Sequence, residues 1–459
     1  MIDALANQRA DGKGEARSTN ISDVFGTKCI FSGTFPPMTI ASGITRERFG
    51  LLFAVMLVAA AGNTALQSLM PAIGRHLGIA DIWIAVAFSL SAVIWVATAP
   101  VWARRADRRG RRALMRLGLS GFIASMLVCG AVLAAGLGGL IGPSLVFIIF
   151  LFGRAIYGMF GSAAPPAIQA YIAARSDGES RTRNLAAIAS SFGLGTIIGP
   201  ALAPLFIFRP LGLSGPLFVF AAIGVVVLAA LIARLPDDTP LHAGRGGIAD
   251  YPAQGASGPD HIDDDGADAR LRWRDPRLWR WLVIGVIGGH GHAALLGVIG
   301  FLVIDRLRLT IEEAQHAIAI VLMGGAAATL LGQWGLIPRL RLGPRHLVSW
   351  GALVAATGAL ATGLADTLYG ISLGFAVASL GFGLFRPGFT SGASLAVRRS
   401  EQNAVAGMVT SVNGLAYIAA PAAGVALYGA WLPLPFAVVS LVMIGLAIWI
   451  AFSPSDPAA

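Results

Sequence analysis

The sequence predicts an all-α membrane protein of twelve transmembrane helices. Three observations predict it: an apolar composition, recurring apolar runs long enough to cross a bilayer, and arginines gathered in alternate loops. Of the 459 residues, 56% are hydrophobic and 13% are charged. A soluble domain carries about 25% charged residues. A soluble chain this apolar lacks the polar residues to cover its surface, and lipid as the outer solvent removes that requirement. The 58 glycines suit close helix packing in lipid.

Residues 1–45 are polar, glycine-rich and aperiodic, which reads as a cytoplasmic tail without regular structure. The alternative is a start at Met38, whose MTIASGITRERFG leads directly into the first apolar run. No short apolar stretch with a small-residue cleavage site stands there, so a cleaved signal peptide is not expected. Six spans are expected near 49–70, 81–103, 112–136, 141–172, 185–207 and 214–234, forming an N-terminal bundle over 46–234. Residues 235–276 contain DDTP, GRGG and HIDDDGADAR without helical period, and read as a cytoplasmic linker. The Asp263–Asp265 run reads as solvated linker, with no metal site expected. Six further spans are expected near 277–304, 314–338, 344–364, 368–396, 404–428 and 432–452, forming a C-terminal bundle over 277–459.

Arginine placement orients the chain. Arg46 and Arg48 precede the first span. Arg104, Arg105, Arg108, Arg109, Arg111 and Arg112 separate the second from the third. Arg175, Arg181 and Arg183, then Arg339, Arg341 and Arg345, then Arg398 and Arg399 fill later loops on the same side. The opposite loops hold only Arg75, Arg209, Arg306 and Arg308. By the positive-inside rule both termini are cytoplasmic; a bacterial inner membrane is the expected location. The same distribution accounts for the net charge of +10 without nucleic acid.

Other classes are excluded or disfavoured. Lys13 and Lys28 are the only lysines, and a Walker A loop needs a lysine on the phosphates. An ATP-driven motor within the chain is therefore excluded. Cys29 and Cys129 lack metal-site spacing, and no disulfide between them is expected. No nucleophile–base, metal or nucleotide motif stands out, so no enzyme and no cofactor are expected.

The halves echo each other. An offset of 221 brings Pro166 onto Pro387, Gly193–Leu194 onto Gly414–Leu415, and Pro200 onto Pro421. Arg108-x-Gly110-x-Arg112 recurs, at a larger offset, as Arg341-x-Gly343-x-Arg345. Internal repeats of this type mark transporters whose site lies between the halves.

Three motifs carry a family resemblance. ADRRGRR at Ala106–Arg112 resembles the loop motif G-x-L-A-D-R-x-G-R-R of the major facilitator superfamily, departing at Ala103 and Arg105. Arg154-Ala-Ile-Tyr157-Gly-Met-Phe-Gly resembles the family's fourth-helix motif, with Tyr157 where glutamine is common. Gly195-Thr-Ile-Ile-Gly199-Pro200 resembles the antiporter motif of helix five, with Ala203-Pro204 in place of two glycines. The resemblance covers about 49–452 and is nearest to the twelve-helix drug:proton antiporter branch. It implies two pseudo-symmetric six-helix bundles that rock about a central cavity.

Physically, Asp107 can cap a helix start across the interface and pair with an arginine, and Gly110 permits the tight turn. Asp107, Arg108, Gly110, Arg111 and Arg112 are therefore the expected cytoplasmic latch; an ordinary positive-inside loop is the plainer reading. Arg154 is costly in a membrane helix and is a site candidate by default, against a snorkelling arginine near a helix end. The GxxxG pair Gly195 and Gly199, with Pro200, allows a close and bent helix contact, which generic packing also explains.

No carboxylate stands near the centre of a span; Asp81, Asp305 and Asp366 fall at outer ends. His290 and His292 are the remaining groups that titrate near neutral pH, and packing is their plainer reading. Asn63, Gln67, Gln169 and Asn413 are further cavity candidates, as are Tyr157 and Arg386, the last beside Pro387. Two intramembrane arginines point to an anionic group on the substrate. The expected function is export of a small organic molecule (a drug, metabolite or siderophore-like acid) in exchange for protons, by a monomer. An uptake symporter of the same fold is the alternative, and a non-transporting receptor or scaffold is the reading from another class.

Overall fold

The computed structural model describes residues 44–173, 175, 178–209, 211–236, 273–340, 342–397 and 402–452; within these the side chains of residues 100, 103–104, 106–109, 173, 178–183, 186, 189, 192–193, 311–312, 402–404, 406–407 and 410 lie outside the described residues. The tail, most of the linker and its Asp263–Asp265 run fall outside them as well.

Among the described residues twelve helical segments run in sequence. The first six are α1 (Arg46–His76), α2 (Asp81–Arg109), α3 (Arg111–Leu137), α4 (Pro143–Ile156, continued below), α5 (Gly178–Leu202) and α6 (Gly215–Arg234). The second six are α7 (Trp279–Leu307), α8 (Ile311–Leu330), α9 (Pro344–Leu364), α10 (Leu368–Leu395), α11 (Gln402–Ala430) and α12 (Leu434–Phe452). Among the described residues no strand forms; an isolated bridge between Phe208 and Gly212 closes the turn before α6.

Among the described residues, eleven segments are long and apolar enough to cross a membrane. In α5 the seven residues Gly178–Asn184 are polar, and the apolar run begins at Leu185. The run expected over 185–207 forms the apolar part of α5 and the short turn that follows it. The first helix is longer than expected: α1 continues six residues past the expected end, because Pro71 is accommodated inside the helix.

Two helices change pitch. After Ile156, α4 widens into a π-helical turn at Tyr157–Gly161 and resumes over Ala164–Ala173. Likewise α8 passes through a π turn at Leu331–Leu336 before ending at Ile337–Leu340. Both remain single spans, over Pro143–Ile172 and Glu313–Leu340, where 141–172 and 314–338 were expected.

Helix ends follow local rules. Thr45, Thr310 and Thr367 cap α1, α8 and α10 through their hydroxyls, and Thr310 forms a reciprocal capping box with Glu313. Gly110 joins α2 to α3 at φ +82, a backbone conformation that strains any residue with a Cβ. Exposed aromatics gather at both ends of the bundle. Trp83, Tyr369 and Trp431 stand at the end of the α1–α2 turn, and Trp279 and Trp350 at the opposite end. This is the distribution that membrane interfaces select.

Candidate functional site

Arg154 lies in the last turn of the first part of α4 and is 3% exposed. It does not snorkel. Its guanidinium sits 4.7 Å from the ring of Phe88 and 5.0 Å from that of Tyr157. Its Nε and Nη1 atoms are buried without a hydrogen-bond partner. Among the described residues the cation is thus held by π faces and by no carboxylate.

The π turn beside it is held by α2. Widening a helix displaces carbonyls from their i→i+4 partners, and they need other donors. Ser91 Oγ donates to the Arg154 carbonyl at 3.0 Å, Thr98 Oγ1 to that of Gly158 at 3.2 Å, and Trp102 Nε1 to that of Met159 at 2.7 Å. Three α2 side chains, spaced along one face, therefore fix the turn that aims Tyr157. Tyr157 then meets Trp95 at 5.3 Å and Phe122 at 6.2 Å between ring centroids. These rings, with Val55, Met56 and Ala59 of α1, line a narrow apolar pocket with free space for little more than a water molecule.

One turn along α1 from Ala59 stands Asn63, half-buried, with Oδ1 shielded and unbonded. Gln67, one further turn on, and Gln169 of α4 are half-buried.

In the second half, the two histidines of α7 diverge. His290 Nδ1 lies 2.7 Å from the Val286 carbonyl of its own helix. The His292 ring stacks on Phe382 of α10 at 4.8 Å. Arg386 lies within electrostatic reach of His292 and is exposed. Its direction follows from its neighbours on α10. Phe382 faces α7, while a Cβ on Gly383 would meet Thr329 of α8. Arg386, one turn on, points to the groove between α7 and α8. Asn413 of α11 is half-buried, beside Gly414, whose Cβ position is 3.0 Å from Val96 of α2. It therefore flanks a contact between the halves.

The loop and helix-five motifs are distributed differently. The side chains of Asp107 and Arg108 lie outside the described residues. Arg111 is buried, 1% exposed. Arg112 Nη2 donates to the Ile232 carbonyl in the last turn of α6, and Arg345 Nη2 donates to the Ile450 carbonyl near the end of α12 at 2.8 Å. The final arginine of each echoing loop thus binds the closing helix of its own half. In α5, a Cβ on Gly195 would stand 2.6 Å from Ala60 Cβ and 2.8 Å from the Leu57 carbonyl, and one on Gly199 would run into the Ala61 carbonyl. Thr64 Oγ1 also donates to the Gly195 carbonyl at 3.3 Å. This face of α5 binds α1, with Pro200 buried just beyond it.

Sequence reasoning did not assemble one cluster. Arg75, at the end of α1, binds Asp81 of α2 through Nε at 3.1 Å and Nη2 at 2.7 Å. It also binds Asp305 of α7 through Nη1 and, at 3.0 Å, through Nη2. Tyr428 of α11 donates to Asp305 at 2.6 Å. The available signal was an acid and a base at matching ends of the first helix of each half.

A family model described as Major Facilitator Superfamily matches residues 52–421. The chain is 24% identical over 405 residues to Multidrug resistance protein 2 of Bacillus subtilis, covering 86% of this chain and 92% of that protein. It is 28% identical over 193 residues to the Staphyloferrin B transporter of Staphylococcus aureus, a match spanning 41% of this chain and only 43% of that relative. Among solved structures, the human organic anion transporter MFSD10 (TETRAN) superposes with a TM-score of 0.61 at 19% identity, over 89% of this chain and all of that one. A bacterial homologue of the human lysosomal transporter Spinster, inward-facing and occupied, gives 0.63 at 12% identity, over 89% and 96% of the two chains. These superpositions speak to the fold.

Proposed function

The chain belongs to the major facilitator superfamily, and on that premise we propose that it exports a small organic molecule bearing an anionic group, in exchange for protons. It works by alternating access in a bacterial inner membrane, with both termini cytoplasmic. The observation that carries this reading is Arg154, buried without a carboxylate partner beside an apolar pocket. A desolvated arginine with unfilled donors favours a carboxylate or similar oxyanion. The aromatic walls of Trp95, Phe122 and Tyr157 suit the apolar body of such a molecule.

Arg386 is the matching cation in the second half, and Asn63 supplies a polar contact on α1. His292, beside Arg386, is the proposed proton carrier, since no carboxylate stands in the middle of a described span. His290 is engaged by its own helix and is a weaker candidate. The names of two relatives, one a multidrug resistance protein and one a siderophore transporter, agree with a small organic cargo. Asp107, Arg108, Gly110, Arg111 and Arg112 form the proposed cytoplasmic gate. Gly195, Gly199 and Pro200 act as the bent hinge surface along α1.

Flux in oriented proteoliposomes tests this. Acid outside drives export by an antiporter and accumulation by a symporter. His292→Ala abolishes the response to the gradient while leaving substrate exchange at equal pH. Arg154→Ala removes carboxylate transport. Transport of lipophilic cations with carboxylates ignored refutes the anionic assignment. Gradient-driven uptake in place of export establishes the symport reading.

A further inference from the structure

At the end of the bundle carrying the α1–α2 turn, a single arginine is shared by two carboxylates from opposite halves. Arg75 makes two hydrogen bonds to Asp81, in its own half, and two to Asp305, in the other. Its guanidinium also lies 5.3 Å from the ring of Phe301 of α7. Asp305 keeps a bond from Tyr428 of its own half. One turn inward, Pro71 of α1 abuts Gly300 of α7, where an added Cβ would lie 2.7 Å from the proline ring.

Helix dipoles make the carboxylates unequal. Asp81 opens α2, where the dipole favours an anion, whereas Asp305 lies in the last turn of α7, where it disfavours one. Asp305 therefore depends more on Arg75 than Asp81 does.

We infer that these residues form the outer clasp of the transporter, in which Arg75–Asp305 holds the halves together while Asp81 and Tyr428 keep each ion partnered when they separate. This rests on the orientation and alternating-access reading above. The clasp opens by breaking one ion pair, and neither ion is left alone. The two carboxylates on one arginine then act in opposite senses. Losing Asp305 removes the bond between halves and favours opening. Losing Asp81 leaves Arg75 nothing but Asp305, so opening strands a cation and closure is favoured. Tyr428→Phe acts like Asp81→Asn, more weakly, because it makes Asp305 rely on Arg75.

The test is a spin-label distance between His76→Cys and Leu432→Cys in full-length protein in nanodiscs, with Cys29 and Cys129 replaced by alanine. Gly300→Ala, which pushes against Pro71, serves as the background so that both states are populated. Asp305→Asn is expected to raise the open-to-closed ratio about threefold, and Asp81→Asn to lower it by a similar factor, the scale of a partly exposed ion pair. Tyr428→Phe lowers it less and carries the prediction should Asp305→Asn not fold. A same-direction shift from Asp81→Asn and Asp305→Asn overturns the clasp, as does an unmoved distance in a protein that still transports. Opposite shifts in a protein without flux uphold the clasp and sink the transport reading instead.

Discussion

Arg154→Met separates stability from function at the candidate site. The wild-type guanidinium leaves two buried donors unpaired, at a cost of about 1–3 kcal/mol each. The rings of Phe88 and Tyr157 offset this through cation–π attraction, about 2 kcal/mol each when desolvated. Gains of about 4 kcal/mol thus oppose costs of about 2–6 kcal/mol, and the arginine contributes little or nothing to folding. Methionine has similar reach, removes the unpaired donors, and keeps sulfur–aromatic contact of about 0.3–1.5 kcal/mol. Arg154→Met is therefore expected to melt at or above the wild-type temperature in detergent. Flux of an anionic substrate is expected to fall at least about tenfold, the equivalent of one lost charge-assisted hydrogen bond. Arg154→Lys keeps the charge but not the planar fork, and is expected to recover only part of the flux. The assays are a thermal melt followed by size exclusion and proteoliposome flux per folded molecule. A melt well below wild type with undiminished flux refutes the reasoning, because Arg154 would then be a packing residue.

Other perturbations read different parts of the structure. Gly199→Ala places a methyl against the Ala61 carbonyl and is expected to destabilise by about 1–3 kcal/mol, measured as a loss of monodisperse protein; Gly445→Ala, with open space around it, serves as the control. Arg112→Ala and Arg345→Ala each remove a charged hydrogen bond to a closing helix, worth about 1.5 kcal/mol. Their effects on the melt are expected to add in the double variant, since the two bonds lie in different halves. Asp107→Asn keeps the size of the side chain and removes its charge; flux is expected to fall with the melting temperature unchanged, and full flux sinks the gate assignment.

The helices were legible because bilayer thickness imposes a length and lipid imposes composition, and both are written locally. Arg154 was legible for the same reason, since a charge inside an apolar run is conspicuous. The π turn at Tyr157–Gly161 was not. Its carbonyls are satisfied by Ser91, Thr98 and Trp102, some sixty positions earlier, so its support is tertiary. Arg75 and Asp305 stand 230 positions apart at helix ends, where polar residues are ordinary, so nothing local distinguished them from loop residues. The paired histidines illustrate the opposite error. His290 and His292 read as one feature, yet a two-residue step turns a helix about 200°, and the side chains meet different partners.

The contacts also divide by how separable they are. Within the first half, α5 meets α1 backbone to backbone at Gly195 and Gly199, and Arg112 ties α3 to the end of α6. Within the second, Arg345 ties α9 to the end of α12. Disturbing these would open close-packed helix contacts and strip charged bonds from two helix ends. Three contacts between halves are of another kind, beside the lengths over which α2 runs along α11 and α5 along α8: Pro71 against Gly300, Val96 against Gly414, and the ion pair of Arg75 with Asp305. In each, a side chain of at least one partner makes the contact, and the charged members keep a partner in their own half. These three contacts can part without breaking a backbone hydrogen bond, which is what the proposed alternating access requires of them.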